Sequence, residues 1–502
     1  MIKVLNSNQM QENDFLTIKN KNISALTLME IAGTKIALDI KNNFNPQKTL
    51  ILCGGGGNGG DGFVIARILN ENNFEVEVFC ASDKLKKETQ INKDKYQGKI
   101  IDNLKTKNYG LIIDALIGVG LKNDLNEKYQ KIINFVEKSS AKIISIDIPT
   151  GINSDNGLIM NKAIKADYTY AIENYKIGHF YNFGKDYCGK IKIINIGIED
   201  YSKDSLNILE EKELKAFFPK RLNRSNKGNY GKLSIIGGSA TTIGAPILSL
   251  KAALKMGAGY IYLCAPDKYF PTLSLIEPSS LKISLKTIDG NIVFDKNVLD
   301  QIIKNSDSIA IGMGCGISEE IYNIIKYILN NFTKCLIIDA DGLNSIAKYG
   351  LDILKEKKCK VIITPHLKEF SRLINKSVDS IQKNPIQEVI DFSCNYDVCV
   401  LLKDHCSIAY YKNELFLNIL GNAGLAKAGS GDVLSGIIGS IMAYSDKSLA
   451  QIAICSANIL GLAAIENMNW TNYYSMTPID IINALPIIMT KLLNNKEGER
   501  NE

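Results

Sequence analysis

Residues 53–63 read CGGGGNGGDGF. They follow TLILC (49–53), an apolar run of strand type, and lead into IARILNENN, a predicted helix. Glycines at such a turn let backbone N–H groups converge on an anion at the helix start, so the loop reads as a phosphate cradle. It is neither a P-loop nor a dinucleotide fingerprint, because no Lys-Ser/Thr closes it. A tight turn alone would account for two glycines, not for the seven found between positions 54 and 62.

Outward from that loop the same grammar repeats. EVEVF (75–79), LIID (111–114) and KIISID (142–147) are short Ile/Val/Leu-rich runs separated by amphipathic stretches. A second series starts afresh at KLSIIGG (232–238) and continues through SIAIGMG (308–314), CLIIDAD (335–341), KVIITPH (360–366) and VCVLLKD (398–404). This alternation predicts α/β architecture, parallel sheets with helices on both faces, in two doubly wound domains. The polar, basic, turn-rich segment KAFFPKRLNRSNKGNYG (215–231) separates the series. The boundary is expected near residue 212, giving domains 1–211 and 212–502.

A chain of 502 residues exceeds the roughly 250–300 at which one core stops growing. Its 45% hydrophobic and 22% charged content is ordinary for globular domains and excludes disorder. The net charge of +6 is scattered, and the densest run, Lys355 to Lys360, includes a Glu, which argues against a nucleic-acid partner. The opening MIKVLNSNQMQENDF lacks the pattern of a signal peptide, and no apolar run is expected to reach the ~18 residues of a membrane span. The expectation is a soluble cytoplasmic protein with no membrane partner. Eleven cysteines without a C-x-x-C pair read as reduced, mostly buried thiols, and three scattered histidines make a structural zinc site improbable.

Two further strand ends carry acids. DALIGVGLKND (114–124) and DIPTGINSDNG (147–157) place an Asp where a strand stops and a Gly-rich loop begins, the edge at which open α/β sheets bind ligands. A lone Asp there is often a cap. Three such loops on one edge, with oxygens from Asn58, Asp114 and Thr150 and few positive charges, suggest a hard cation as well as a ligand. In the second half, GNAGLAKAGSGDVLSGIIGSIMAY (421–444) sets Gly429, Ser430, Gly431 and Asp432 before a segment with apolar residues at 433, 434, 437, 438, 441 and 442. That is the period of a helix packed on a sheet. Its first N–H groups would stabilise phosphoryl charge, with Asp432 beside them as acid or base.

The ordered series GGNGGDG, DALIGVGL, DIPTG, Thr169 and Lys176 resembles the NAD(P)H-hydrate epimerase domain over roughly residues 1–210. The resemblance implies a Rossmann-like three-layer αβα fold and a potassium ion held by Asn58, Asp114 and Thr150. It also implies contacts to the hydrated cofactor from Gly57, Asn58, Gly59, Gly60 and Asp61, from Gly118, Val119, Gly120, Leu121, Lys122, Asn123 and Asp124, and from Asp147. Gly57 stands where the family has Asn, and Thr150 where it has Ser. The implied substrate carries water at C6 of the reduced nicotinamide ring. Its epimerisation needs an acid for the departing oxygen and a base for returning water, with Asp147 as the proton carrier; Lys176 either stabilises nearby charge or is an ordinary solvated lysine.

The second half resembles the ribokinase-like superfamily through its Gly-Ser-Gly-Asp loop. More closely it resembles the NAD(P)H-hydrate dehydratase branch, through GKLSIIGGS (231–239), TTIGAP (241–246), GMGCG (312–316), DADGLN (339–344), TPHLKE (364–369) and GNAGLA. By that likeness Ala245, Gly316, His366 and Asp432 contact the hydrated cofactor. Lys403, Asp404, His405, Cys406, Ser407 and Gly431 contact ADP or ATP, whose phosphates Mg²⁺ bridges. Asn226, Leu367, Lys368, Asp404 and Ala428 depart from the family pattern. From spacing alone His366 is a hydrogen-bonded loop residue; its place in TPH makes it a ligand contact. The implied activity is bifunctional: epimerisation of the R and S hydrates of NADH and NADPH, then nucleotide-dependent dehydration of the S hydrate, with AMP released from ADP. A homo-oligomer is expected. Two rivals remain open, a kinase for a hydroxymethyl vitamin precursor and a nonenzymatic nucleotide-binding protein.

Overall fold

A computed structural model describes residues 1–105, 108–202 and 205–494. The chain forms two compact units, Lys3–Ser205 and Leu206–Glu502 with Met1–Ile2. The division falls where it does because Leu206–Ile208 joins the second sheet, Asn207 pairing with Phe416.

In the first unit seven parallel strands run in the order Lys99–Ile101, Glu75–Cys80, Lys48–Cys53, Leu111–Ala115, Lys142–Ile146, Tyr168–Ile172, Lys190–Ile194. Side chains alternate between two cores, as the two-residue period of a strand requires. Ile51, Cys53 and Ile113 face one cluster with the helices Ala25–Asn43 and Gly57–Glu71, while Leu50, Leu52 and Ile112 face another with Glu127–Glu137. Burial on both faces explains why these strands read as continuous apolar runs. Strand order reverses between Lys48–Cys53 and Leu111–Ala115. The glycine loop and the loop after Asp114 therefore emerge side by side at a topological switch point. They touch there: a Cβ on Gly54 would lie 1.8 Å from the carbonyl oxygen of Leu116.

The second unit orders its strands Leu281–Leu285, Tyr260–Pro266, Lys232–Ile236, Ser308–Ile311, Cys335–Ile338, Lys360–Ile363, Cys399–Leu402, Ser407–Tyr411, Glu414–Asn418, Leu206–Ile208. Pairing is parallel as far as Cys399–Leu402 and antiparallel in the two hairpin pairs that follow. The six apolar positions of the helix Ser430–Tyr444 are all buried. That helix packs on Gly244–Met256 at backbone contact, since a Cβ on Gly436 would sit 2.1 Å from the carbonyl oxygen of Ser249.

One expectation is corrected. The helix Leu449–Asn467 is long and apolar enough to cross a membrane by composition, at mean hydropathy 1.6. Its residues belong to the main core, which is why it is apolar all round rather than on one face.

Candidate functional site

In the first unit a cavity of ≈ 840 Å³ opens at the switch point. The Gly57–Glu71 helix begins at Gly56 with no side-chain cap, so its first N–H groups are left for a ligand. Gly57, Asn58 and Asp61 line the cavity. Nothing lies within 4 Å of a Cβ at Gly57, so the position is open space. Gly59 and Gly60 do not line it; they press on the Gly54 backbone and on Met29. Of the next loop, Gly118, Val119 and Gly120 reach the cavity, whereas Leu121 is core and Lys122, Asn123 and Asp124 are exposed elsewhere.

Asp147 lines the same cavity and ion-pairs with Lys176, whose side chain is fully buried and also donates to the Ile172 carbonyl at 2.8 Å. Its backbone is left-handed, φ +67°, a conformation that costs a non-glycine residue energy and is held by its surroundings. Asp147 N–H donates to Tyr170 O at 2.8 Å. On the other side His179 Nδ1 accepts the Lys176 N–H, which leaves Nε2 to donate to Asp147 O at 2.7 Å. Burial beside Lys176 lowers the His179 pKa to about 4, so this support stays neutral. Burial, with Asp147 and Asp14 close by, pushes the Asp61 carboxyl well up.

Asp114 is fully buried and satisfied by four donors: Leu116 N (3.2 Å), Thr150 N (2.8 Å), Thr150 Oγ1 (2.7 Å) and Ser145 Oγ (2.9 Å). Burial raises its pKa against those bonds. Among the described residues no cationic side chain pairs with it. The Asn58 amide nitrogen is buried without a partner, and Gly118 lies between Asn58 and Asp147. A buried carboxylate with no cationic partner at the end of one strand, and on the neighbouring glycine loop an unsatisfied amide whose O and N are interchangeable by a flip, are groups of the kind a weakly hydrated cation takes.

In the second unit the helix Ser430–Tyr444 starts from Gly429, φ +100°, with no side-chain cap. Its first N–H groups, Gly431 and Asp432 among them, are open donors. Ser249 Oγ fixes the turn by donating to Asp432 O at 2.7 Å, one turn along the helix from Ala245. Burial, next to the Asp339 carboxylate, pushes Asp432 up to about 7, against the pull of Lys403. Lys403 Nζ pairs with Asp339 Oδ1 at 2.7 Å, Ser435 Oγ donates to Asp339 Oδ2 at 2.7 Å, and a Cβ on Gly431 would stand 3.3 Å from Lys403 Nζ. Gly316 N–H donates to Asp341 at 2.8 Å.

His366 is the N-cap of Leu367–Ile374: Nδ1 accepts from Lys368 and Glu369 N–H, so Nε2 carries the proton. Burial and Lys403 lower its pKa. It is thus the hydrogen-bonded loop residue that spacing suggests, its Nε2 standing 3.5 Å from Glu369 Oε1. From Lys403 to Ser407 the structure separates what the sequence groups. Cys406 and Ser407 are buried in the hairpin, His405 is exposed, and Asp404 accepts from His405 while its other carboxylate oxygen is buried without a partner. No group of three His, Cys, Asp or Glu among the described residues could cage a metal ion.

Sequence reasoning passed over Asp14, Asp339 and Ser435. Asp339 carried the same signal as Asp114 and Asp147, an acid ending a strand. Asp14 lay in SNQMQENDFLTIKNK, too polar to be read as a cavity wall.

Comparisons with known proteins follow the same division. Residues 233–487 match the NAD(P)H-hydrate dehydratase family, and residues 25–178 match YjeF-related protein N-terminus. A bifunctional NAD(P)H-hydrate repair enzyme of Dictyoglomus turgidum is 32% identical over 99% of this chain and 100% of its own length. One of Thermofilum pendens is 29% identical over 94% of this chain and 93% of its own. A solved ribokinase-like superfamily protein from Enterococcus faecalis superimposes on 58% of this chain and 98% of its own, with TM-score 0.51 and 25% identity.

Proposed function

The chain belongs to the bifunctional NAD(P)H-hydrate repair enzymes, and from that premise we propose that residues 1–211 epimerise hydrated NADH and NADPH at C6 while residues 212–502 dehydrate the S form with ADP or ATP. The observation that carries the reading is Asp432, a carboxyl poised to about 7 at an uncapped helix start beside Lys403. A general base works best with a pKa near the operating pH.

In the second half Asp432 takes the C6 hydroxyl proton as that oxygen attacks the terminal phosphorus of the nucleotide, and the P–O bond to the departing AMP or ADP breaks. The open N–H groups of the helix start and Lys403 face the charge that develops on the phosphoryl oxygens. Phosphate then leaves C6 together with a C5 proton, forming the C5=C6 bond of the dihydronicotinamide. Gly316 and His366 would orient the ring. Mg²⁺, when bound, neutralises phosphate charge and would arrive with the nucleotide rather than in a protein cage.

In the first half Asp147 moves a proton at the C6 oxygen, oriented by Lys176. Asn58, Asp114 and Thr150 would hold potassium, whose charge compensates Asp114 and stiffens the loops beside the substrate. The enzyme would act in the cytoplasm, where its coenzyme substrates are used; all eleven cysteines are free.

The test is incubation of the full chain with chemically hydrated NADH and each nucleotide, in potassium and in sodium buffers. Both epimers should return to NADH with a nucleotide, and interconvert without one, faster in potassium. Return of one epimer only sinks the first half of the reading, no return with either nucleotide sinks the second, and equal rates in the two buffers sink the potassium site.

A further inference from the structure

We propose that Asp14, on the N-terminal helix Ser7–Lys21, is a catalytic residue of the epimerisation, the acid that works against the Asp147–Lys176 pair across one cavity; the proposal rests on the epimerase reading of this half. Met10, Asp14 and Ile18 occupy one face of that helix at four-residue spacing, and all three line the cavity that Asp147 lines. The helix is pinned by its other residues. Ser7 donates through both N–H and Oγ to Asp155 at 2.6 Å, Asn13 Oδ1 accepts from Tyr201 N at 3.0 Å, and Thr17 Oγ1 accepts from Glu199 N at 2.9 Å. Asp14 takes no part in this. Its side chain makes no ion pair or hydrogen bond with a described residue, and its Oδ1 is buried without a partner. A buried carboxyl oxygen with no structural bond, on the wall of a substrate cavity, is an exception that calls for a ligand.

The charges around it favour the proton-carrying form. Asp61, Asp147 and Glu173 face it, Lys176 opposes them, and Lys86 and Glu88 lie on the same cavity wall. Burial, then Asp147, push Asp14 up to about 6, while Asp147 itself is spoken for by Lys176. Epimerisation needs one proton shared between two such groups. Asp14 protonates the C6 hydroxyl; the C6–O bond breaks with both electrons going to oxygen, which leaves as water, and the ring nitrogen lone pair forms N1=C6. Water then adds to C6 from the opposite face, the N1=C6 pair returns to nitrogen, and Asp147 accepts the surplus proton. The proton balance is restored when Asp147 releases its proton and Asp14 regains one from solvent, or by the reverse reaction. Either direction starts with a single proton on the pair, so both slow as pH rises past about 6 and Asp14 loses it.

The test compares Asp14→Asn, Asp14→Glu and Asp147→Asn in the full chain, with epimer exchange followed by NMR from pH 5 to 9, alongside melting temperature and dehydratase rate on the S hydrate. The expected result is an exchange rate lower by about 10² to 10⁴ in Asp14→Asn, with no rate loss on the alkaline side of pH 6, partial recovery in Asp14→Glu, and melting and dehydration as in the parent. An Asp14→Asn chain that exchanges epimers at the parent rate, or keeps the fall above pH 6, overturns the proposal. If the parent itself exchanges nothing, the epimerase reading fails; if only Asp147→Asn is inactive, that reading stands and Asp14 is excluded.

Discussion

The two units solve opposite electrostatic problems with one device, an acid at the carboxyl end of a parallel sheet. In the first, Asp147 has a buried partner in Lys176 and a neutral His179 bracing its backbone, so charge is compensated before substrate arrives. In the second, the local lysine is already taken: Lys403 pairs with Asp339, and among the described residues Asp432 has no side-chain partner. The first arrangement suits proton exchange with a substrate that is chemically the same before and after. The second suits a base that must be neutral or charged on demand, beside donors that wait for a phosphoryl group.

The largest expected effect falls on the uncompensated acid. Asp432→Asn should lower the dehydratase rate by about 10² to 10⁴, the range of general-base assistance, while epimer exchange continues. The parent rate should rise with pH through about 7 as Asp432 ionises, and that rise should vanish in the variant. Near-normal turnover by the variant would reduce Asp432 to a helix-start residue and erase the contrast.

The compensated acid predicts a different failure. Lys176→Met leaves Asp147 buried without its cation, a change that costs about 3–5 kcal/mol when one partner of a buried pair is removed. The first unit should therefore unfold at lower denaturant and lose epimerisation, with dehydration intact. If denaturant melts of the variant and parent coincide, water reaches Asp147 and the pair is less enclosed than its geometry states.

Much of this contrast was legible before any coordinates. Strand ends at Cys53, Asp114 and Asp147, and the helix period after Asp432, followed from apolar runs and glycines, because parallel strands buried on two faces leave no ambiguity of face. Pairings were not legible. Nothing in the spacing of Lys403 and Asp339 says that they touch; their strands, Cys399–Leu402 and Cys335–Ile338, are separated in the sheet by Lys360–Ile363. Likewise nothing in the sequence decides between a charge-stabilising Lys176 and a solvated one; the buried ion pair with Asp147 does. Asp14 was missed because a polar helix hides its one cavity-facing row.

The smallest effect concerns stability and has the less familiar sign. Asp432 ionises near 3.8 in an unfolded chain and at about 7 in the folded one. A raised acid pKa means that the folded state holds its proton longer, so this group's contribution is fully present below the unfolded value and is lost as pH rises to 7. The slope is about 1.4 kcal/mol per pH unit between the two values. From pH 5 to pH 8 the parent should thus lose on the order of 3 kcal/mol that Asp432→Asn, which has no charge to bury, does not lose. The inactive variant should melt several degrees higher relative to the parent at pH 8 than at pH 5, read from the second unit's transition in calorimetry. Such a gain is the stability–activity trade-off expected where a site holds a charge for chemistry rather than for folding. For Asp147, whose charge is already paired with Lys176, amide substitution should show no such gain at high pH, since it strands a buried ammonium instead. A melting difference for Asp432→Asn that is flat across pH would mean that solvent, not protein, surrounds this carboxyl, and the two units would then differ in chemistry without differing in how they store charge.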